Sequence, residues 1–107
     1  MARTIKKEVG ERVRAYVSRV ERDIPVSAVY VFGSHAKGTE TTESDIDVAI
    51  VSPAFGRDPL SDGFFLQKKL WESSFKNIDA VGYSPASFSE ENSPLIQEIK
   101  EHGLLLR

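Results

Sequence analysis

VFGSHAKGTETTESDIDVAIV (residues 31–51) joins two apolar segments through a polar loop that opens on Gly33-Ser34 and closes on Asp45-Ile46-Asp47. The segment before it, VSAVYVF (26–32), is β-branched and aromatic, and Gly33 bounds it, so it reads as a buried strand. A short helical turn is expected after Ser34. DIDVAIV (45–51) then reads as a second strand, closed by Pro53 and Gly56. Side chains alternate along a strand, which sets Asp45 and Asp47 on one face roughly 6.5 to 7 Å apart and turns Ile46, Val48 and Ile50 into a core on the other. Two carboxylates held side by side repel each other, and that repulsion needs relief.

Working outward, Ile5, Val9, Val13, Tyr16, Val17 and Val20 recur at spacings of three and four, which predicts an amphipathic helix from Thr4 to about Arg22, ended by Pro25. Residues 52–62 carry several breakers and read as a loop. FFLQKKLWESSF (64–75) has helical periodicity through Phe65, Leu66, Leu70 and Trp71. NIDAVGYS (77–84) reads as a third strand, with Asp79 on the side of Val81. After Pro85, Ser87 or Ser89 can cap a last helix carrying Glu90 and Glu91 in its first turn, Leu95, Ile96 and Ile99 on its buried stripe, and Gly103 at its end. Helices alternating with strands in this way predict an α/β or α+β layer fold, a small mixed β-sheet flanked by helices.

At 107 residues the chain is expected to form one domain, residues 1–107, with a core large enough to fold without staples. With no cysteine, neither a disulfide framework nor a thiolate metal site is available. No apolar run reaches the roughly 18 to 20 residues of a membrane span, and the N-terminus lacks a signal peptide's apolar core, so a cytoplasmic, membrane-free protein is expected. Fourteen basic against sixteen acidic residues, a net charge of -2, argue against strong nonspecific binding to nucleic acid.

The chemistry lies in the opening stretch. A hard divalent ion such as Mg2+ takes oxygen ligands and commonly uses one or two carboxylates together with substrate phosphates, which suits Asp45 and Asp47. Gly33 permits a tight turn and close approach to the backbone. A helical turn starting at Ser34 would aim its N–H groups, its hydroxyl and its positive dipole end at an anion, with Lys37 or His35 adding charge. If the two strands are neighbours, phosphate cradle and metal pair lie side by side. Asp79 has two readings: a third carboxylate that joins them and accepts a proton from an attacking hydroxyl, or a strand-end acid in solvent or paired with Lys76.

Gly33-Ser34, ten residues, then Asp45-Ile46-Asp47, followed downstream by a strand acid, resembles the G-S-x10-D-x-D signature of the DNA polymerase β-like nucleotidyltransferases. Within that superfamily the chain is most similar to the minimal nucleotidyltransferases. The resemblance implies the polymerase β-like palm fold, with Gly33, Ser34 and Lys37 binding the nucleotide and Asp45, Asp47 and Asp79 binding Mg2+ and carrying catalysis. It also implies an NTP substrate, foremost ATP, and a small helical HEPN-type partner whose hydroxyl is adenylylated in a toxin-antitoxin module. Many relatives read G-S-R-A-R-G where this chain reads Gly33-Ser34-His35-Ala36-Lys37-Gly38. His35 and Lys37 therefore replace two phosphate-facing arginines, and Lys37 acts as a point charge without the bidentate fork. Two other readings stay open: a catalytically silent nucleotide-binding or interaction subunit, and a small-molecule nucleotidyltransferase of the aminoglycoside-modifying kind.

Overall fold

A computed structural model describes residues 5–41, 43–72, 75, 77–90 and 93–107. The expectations placed on Thr4, Lys76 and Glu91 fall outside these. Helix α1 (Lys7–Glu21) buries Val13, Tyr16, Val17 and Val20, the stripe set by the three- and four-residue spacing. Strand β1 (Ala28–Phe32) leads into the one-turn helix α2 (Ser34–Lys37), and β2 (Ile46–Val51) returns antiparallel to β1. Helix α3 (Pro59–Glu72) then crosses over to β3 (Ile78–Tyr83), which pairs parallel to β2. Helices α4 (Pro85–Glu90) and α5 (Pro94–His102) follow, and β4 (Leu104–Leu105) closes the sheet in the order β3-β2-β1-β4. Strand pairs of both senses make it the mixed sheet expected.

The sheet divides the apolar residues between two faces. Val29, Val31, Ile46, Val48, Ile50 and Ile78 pack against α1 and α3 in the main core, where the Tyr16 hydroxyl donates to the Leu66 carbonyl at 2.9 Å and ties the helices together. Burial pushes the Tyr16 pKa up, which keeps that hydroxyl a donor. On the other face Phe32, Ala49 and Ile99 form a smaller cluster under α5, edged by Tyr30, Val81, Tyr83 and Phe88. Phe88 stacks on Tyr30 with ring centroids 5.1 Å apart, and Phe75 meets Tyr16 edge-on, so neither is a free surface aromatic. Phe64 is exposed.

Four expectations need correction. The 52–62 segment is not all loop, because α3 starts at Pro59: a proline suits the first helical position, where its missing N–H costs nothing, and the Asp58 carboxylate accepts from the N–H groups of Leu60 and Ser61 at 3.2 and 3.4 Å. Trp71 is 65% exposed, since it sits one residue, about 100° of helix, past the buried Leu70. The last helix is two, capped by Ser84 and Ser93 rather than by Ser87 or Ser89: Ser84 Oγ accepts from Ser87 N–H at 3.1 Å and Ser93 Oγ from Ile96 N–H at 3.1 Å. Pro94 enters α5 at its first turn, which buries Ile96 and Ile99 and leaves Leu95 exposed. Among the described residues no helix is long and apolar enough to cross a membrane.

Candidate active site

The end of β1 and the starts of β2 and β3 meet at one end of the sheet, and every expected site residue comes from there. Gly33 follows β1 with φ +72° and ψ -148°, a conformation that favours glycine, and caps α2: its carbonyl accepts from the N–H groups of Ala36 and Lys37 at 3.1 and 3.0 Å. A Cβ at Gly33 would overlap the Asp47 carboxylate, so the absence of a side chain is what lets the α2 turn lie against that acid. Ser34 opens α2, where the first amides of a helix have no partner inside it. Gly38, at φ +78°, ends the turn.

Asp47 lies in β2 opposite Phe32 of β1 and in register with Asp79 of β3. Asp45 stands one residue ahead of β2 rather than inside it, because the strand begins where Ile46 N–H donates to the Asn77 carbonyl at 2.7 Å. Ile46, Val48 and Ile50 point into the main core, as alternation requires, and leave the acids to the other face. Burial, then the charges of Asp79 and Asp45, raise the Asp47 pKa above the ordinary carboxylate range, with His35 opposing. Asp47 therefore feels both of the other acids, although among the described residues no three His, Cys, Asp or Glu side chains converge closely enough to hold a metal ion as they stand.

Helix α2 carries two basic side chains, of which His35 acts on Asp47. His35 Nε2 lies 3.3 Å from the Ser44 carbonyl, while its Nδ1 is buried with no hydrogen-bond partner among the described residues. The ring thus pins α2 to the loop that delivers Asp45. Lys37, the last residue of α2, forms an ion pair with Glu98 of α5. Glu98 in turn lies 4.0 Å from His102 Nε2.

Asn77 and Glu98 are the residues that reading the sequence missed. Asn77 takes φ +64°, which asparagine tolerates better than most side chains, and its carbonyl starts the β2–β3 ladder that aligns Asp47 with Asp79. An asparagine directly ahead of an apolar strand was the available signal. Glu98 carried none, since only the packing of α5 over the sheet brings it to Lys37.

The turn at Gly33 lies closed against Asp47, which stands in register with Asp79 in a mixed α/β domain. The chain belongs to the nucleotidyltransferase domain family, which it matches over residues 11–106. No curated protein matches it closely enough to count. Among solved structures, a chain of a toxin-antitoxin complex with AMP-PNP superimposes with a TM-score of 0.64 at 24% identity, over 92% of this chain and 72% of that one. A Sulfolobus solfataricus protein assigned as a nucleotidyltransferase gives 0.70 at 18% identity, over 92% and 78%. A chain from the complex of tri-AMPylated Shewanella oneidensis HEPN toxin with MNT antitoxin gives 0.59 at 20% identity, over 91% and 70%. These likenesses establish a shared nucleotidyltransferase fold.

Proposed function

We propose that the protein transfers a nucleoside monophosphate, AMP from ATP in the first instance, to a hydroxyl on a small helical HEPN-type toxin, acting in the cytoplasm as the antitoxin of the pair. The observation that carries this reading is the register of Asp47 with Asp79 beside a glycine turn that only glycine can make. Family membership supplies the reaction class, and the toxin-antitoxin complexes among the fold neighbours supply the candidate partner.

In this mechanism the amides of the α2 turn at Gly33 and Ser34, with the Lys37 ammonium, hold the triphosphate and orient it across that end of the sheet. The carboxylates of Asp45, Asp47 and Asp79 are hard oxygen donors whose mutual repulsion a cation would relieve, so they suit Mg2+, which when bound would neutralise phosphate charge and polarise the phosphorus under attack. Asp79, exposed on the strand that lies in register with the half-buried Asp47, is placed to accept the proton of the incoming hydroxyl. Attack at the α-phosphorus forms the new phosphoester and releases pyrophosphate, which Lys37 and the α2 turn accompany.

The test is incubation of the pure protein with labelled ATP, CTP, GTP or UTP and Mg2+, with and without the product of the neighbouring gene. Label is expected on the partner, strongest from ATP. Label on a free hydroxyl compound without any partner would support the small-molecule transferase instead. Nucleotide binding with no transfer to any acceptor would leave the silent subunit.

A further inference from the structure

The Lys37–Glu98 pair joins the phosphate-facing turn to a helix that no part of the mechanism uses. Lys37 follows Ser34 by three residues, so both lie on one face of α2, and the lean of helical side chains toward the N-terminus carries a lysine at this position back toward Gly33 and Ser34. The Lys37 ammonium is instead bound to the Glu98 carboxylate, with both side chains partly exposed at 42% and 31%. Glu98 lies on α5, the helix that covers the same sheet face on which Asp47 and Asp79 stand. It adds a further negative charge to that side of the molecule.

We propose that Glu98 sets the protein's affinity for nucleotide by competing with the substrate's phosphate oxygens for the Lys37 ammonium. A carboxylate and a phosphate oxygen are the same kind of partner for a lysine, a compact anionic acceptor. One ammonium cannot serve both fully, so each triphosphate that engages Lys37 does so at the expense of the ion pair. An arginine at this position would spread its charge and five donors over a planar fork that can keep a carboxylate on one side and a phosphate on another; the lysine ammonium is a compact point charge whose three donors converge on one spot, so a carboxylate already seated there competes with the phosphate more directly. The proposal rests on the nucleotidyltransferase reading and concerns binding, not the chemical step.

The experiment measures binding of ATP with Mg2+, and of inorganic tripolyphosphate, to wild type, Glu98→Gln, Lys37→Met and the double variant. Circular dichroism confirms that each folds, as expected for substitutions of partly exposed side chains. Glu98→Gln is expected to tighten both ligands by up to about fivefold, the upper worth of a solvent-exposed ion pair. Lys37→Met is expected to weaken them, and in that background Glu98→Gln should have almost no effect. Equal or weaker binding by Glu98→Gln overturns the proposal. So does the same tightening with and without Lys37, which would reduce Glu98 to a diffuse repulsive charge. If no protein of the set binds either ligand, the nucleotidyltransferase reading itself fails and the proposal with it, a result distinct from tight wild-type binding that Glu98→Gln leaves unchanged.

Discussion

Asp47 of β2 lies directly across the parallel ladder from Asp79 of β3, with Asp45 near enough to join them in raising the Asp47 pKa. Folded Asp47 therefore keeps its proton to higher pH than unfolded Asp47 does. Stability contributed by this group falls as pH rises through the interval between the two values, and at neutral pH the ionised acid weakens the fold. Asp47→Asn removes that loss. The variant should be more stable than wild type at pH 7, by on the order of 1 kcal/mol, while losing transfer activity. The difference should vanish below about pH 3.9, where the acid is protonated in both states. Urea unfolding at pH 7 and pH 3 measures it, and a variant less stable than wild type at pH 7 would mean that Asp47 draws net stabilisation from its surroundings.

Gly33→Ala is expected to act in the opposite direction. The substitution forces an L side chain to φ +72° and drives its Cβ into the Asp47 carboxylate, so backbone strain and overlap add. A loss of about 1 to 3 kcal/mol is expected from the strained conformation alone. Combining it with Asp47→Ala, which clears the overlap but not the φ strain, should recover part of that loss. Full additivity in the denaturant-unfolding cycle would show that the two residues do not touch.

These two residues also mark how far the sequence could be read. Gly33-Ser34 and Asp45-x-Asp47 are tied by a fixed covalent spacing; the β-branched, aromatic run before Gly33 and the alternation of β2 placed the first at a strand end and the second at the start of the next strand, while the pairing of those two strands was a condition that the β1–β2 ladder meets. The position of Asp79 was legible as a strand acid, but its register opposite Asp47 depends on the Ile46–Asn77 hydrogen bond, a tertiary contact with no sequence period. Strand β4 was equally hidden: Leu104 and Leu105 become a strand only because the free edge of β1 receives them at Val31 and Tyr30. At Pro59 a local rule misled, because the same residue that breaks a helix interior starts a helix when Asp58 caps it. Lys37 could be identified as the turn's cation from its place in the motif, yet its partner Glu98 became visible only once α5 had packed.

Asn77 offers a direct check on register. Its φ of +64° is open to glycine, acceptable to asparagine and costly for a β-branched residue. Asn77→Gly should leave stability nearly unchanged and preserve activity. Asn77→Val should cost about 1 to 3 kcal/mol and reduce transfer by more than the stability loss explains, because displacing the Asn77 carbonyl frees the start of β3 and moves Asp79 relative to Asp47. Transfer rates measured well below the unfolding temperature of the Val variant separate the two effects. Unchanged transfer there would detach Asn77 from the placement of Asp79.

Metal and nucleotide should report on the same three acids through linkage. A ligand that binds only the folded protein raises its unfolding free energy by about 2.7 kcal/mol at a hundredfold excess over Kd. For wild type, ATP with Mg2+ should raise the midpoint of thermal unfolding, and EDTA should reverse most of the gain, since the carboxylates repel the triphosphate once no cation lies between them. The Asp45→Asn, Asp47→Asn double variant should start from a higher midpoint, because part of the repulsion at Asp47 is gone, and should gain little from ATP with Mg2+. Its response to ATP with EDTA should then match or exceed that of wild type, because the phosphates meet fewer negative charges. A wild-type midpoint that rises equally with ATP in EDTA would place the nucleotide on the α2 turn alone and remove the acids from its binding.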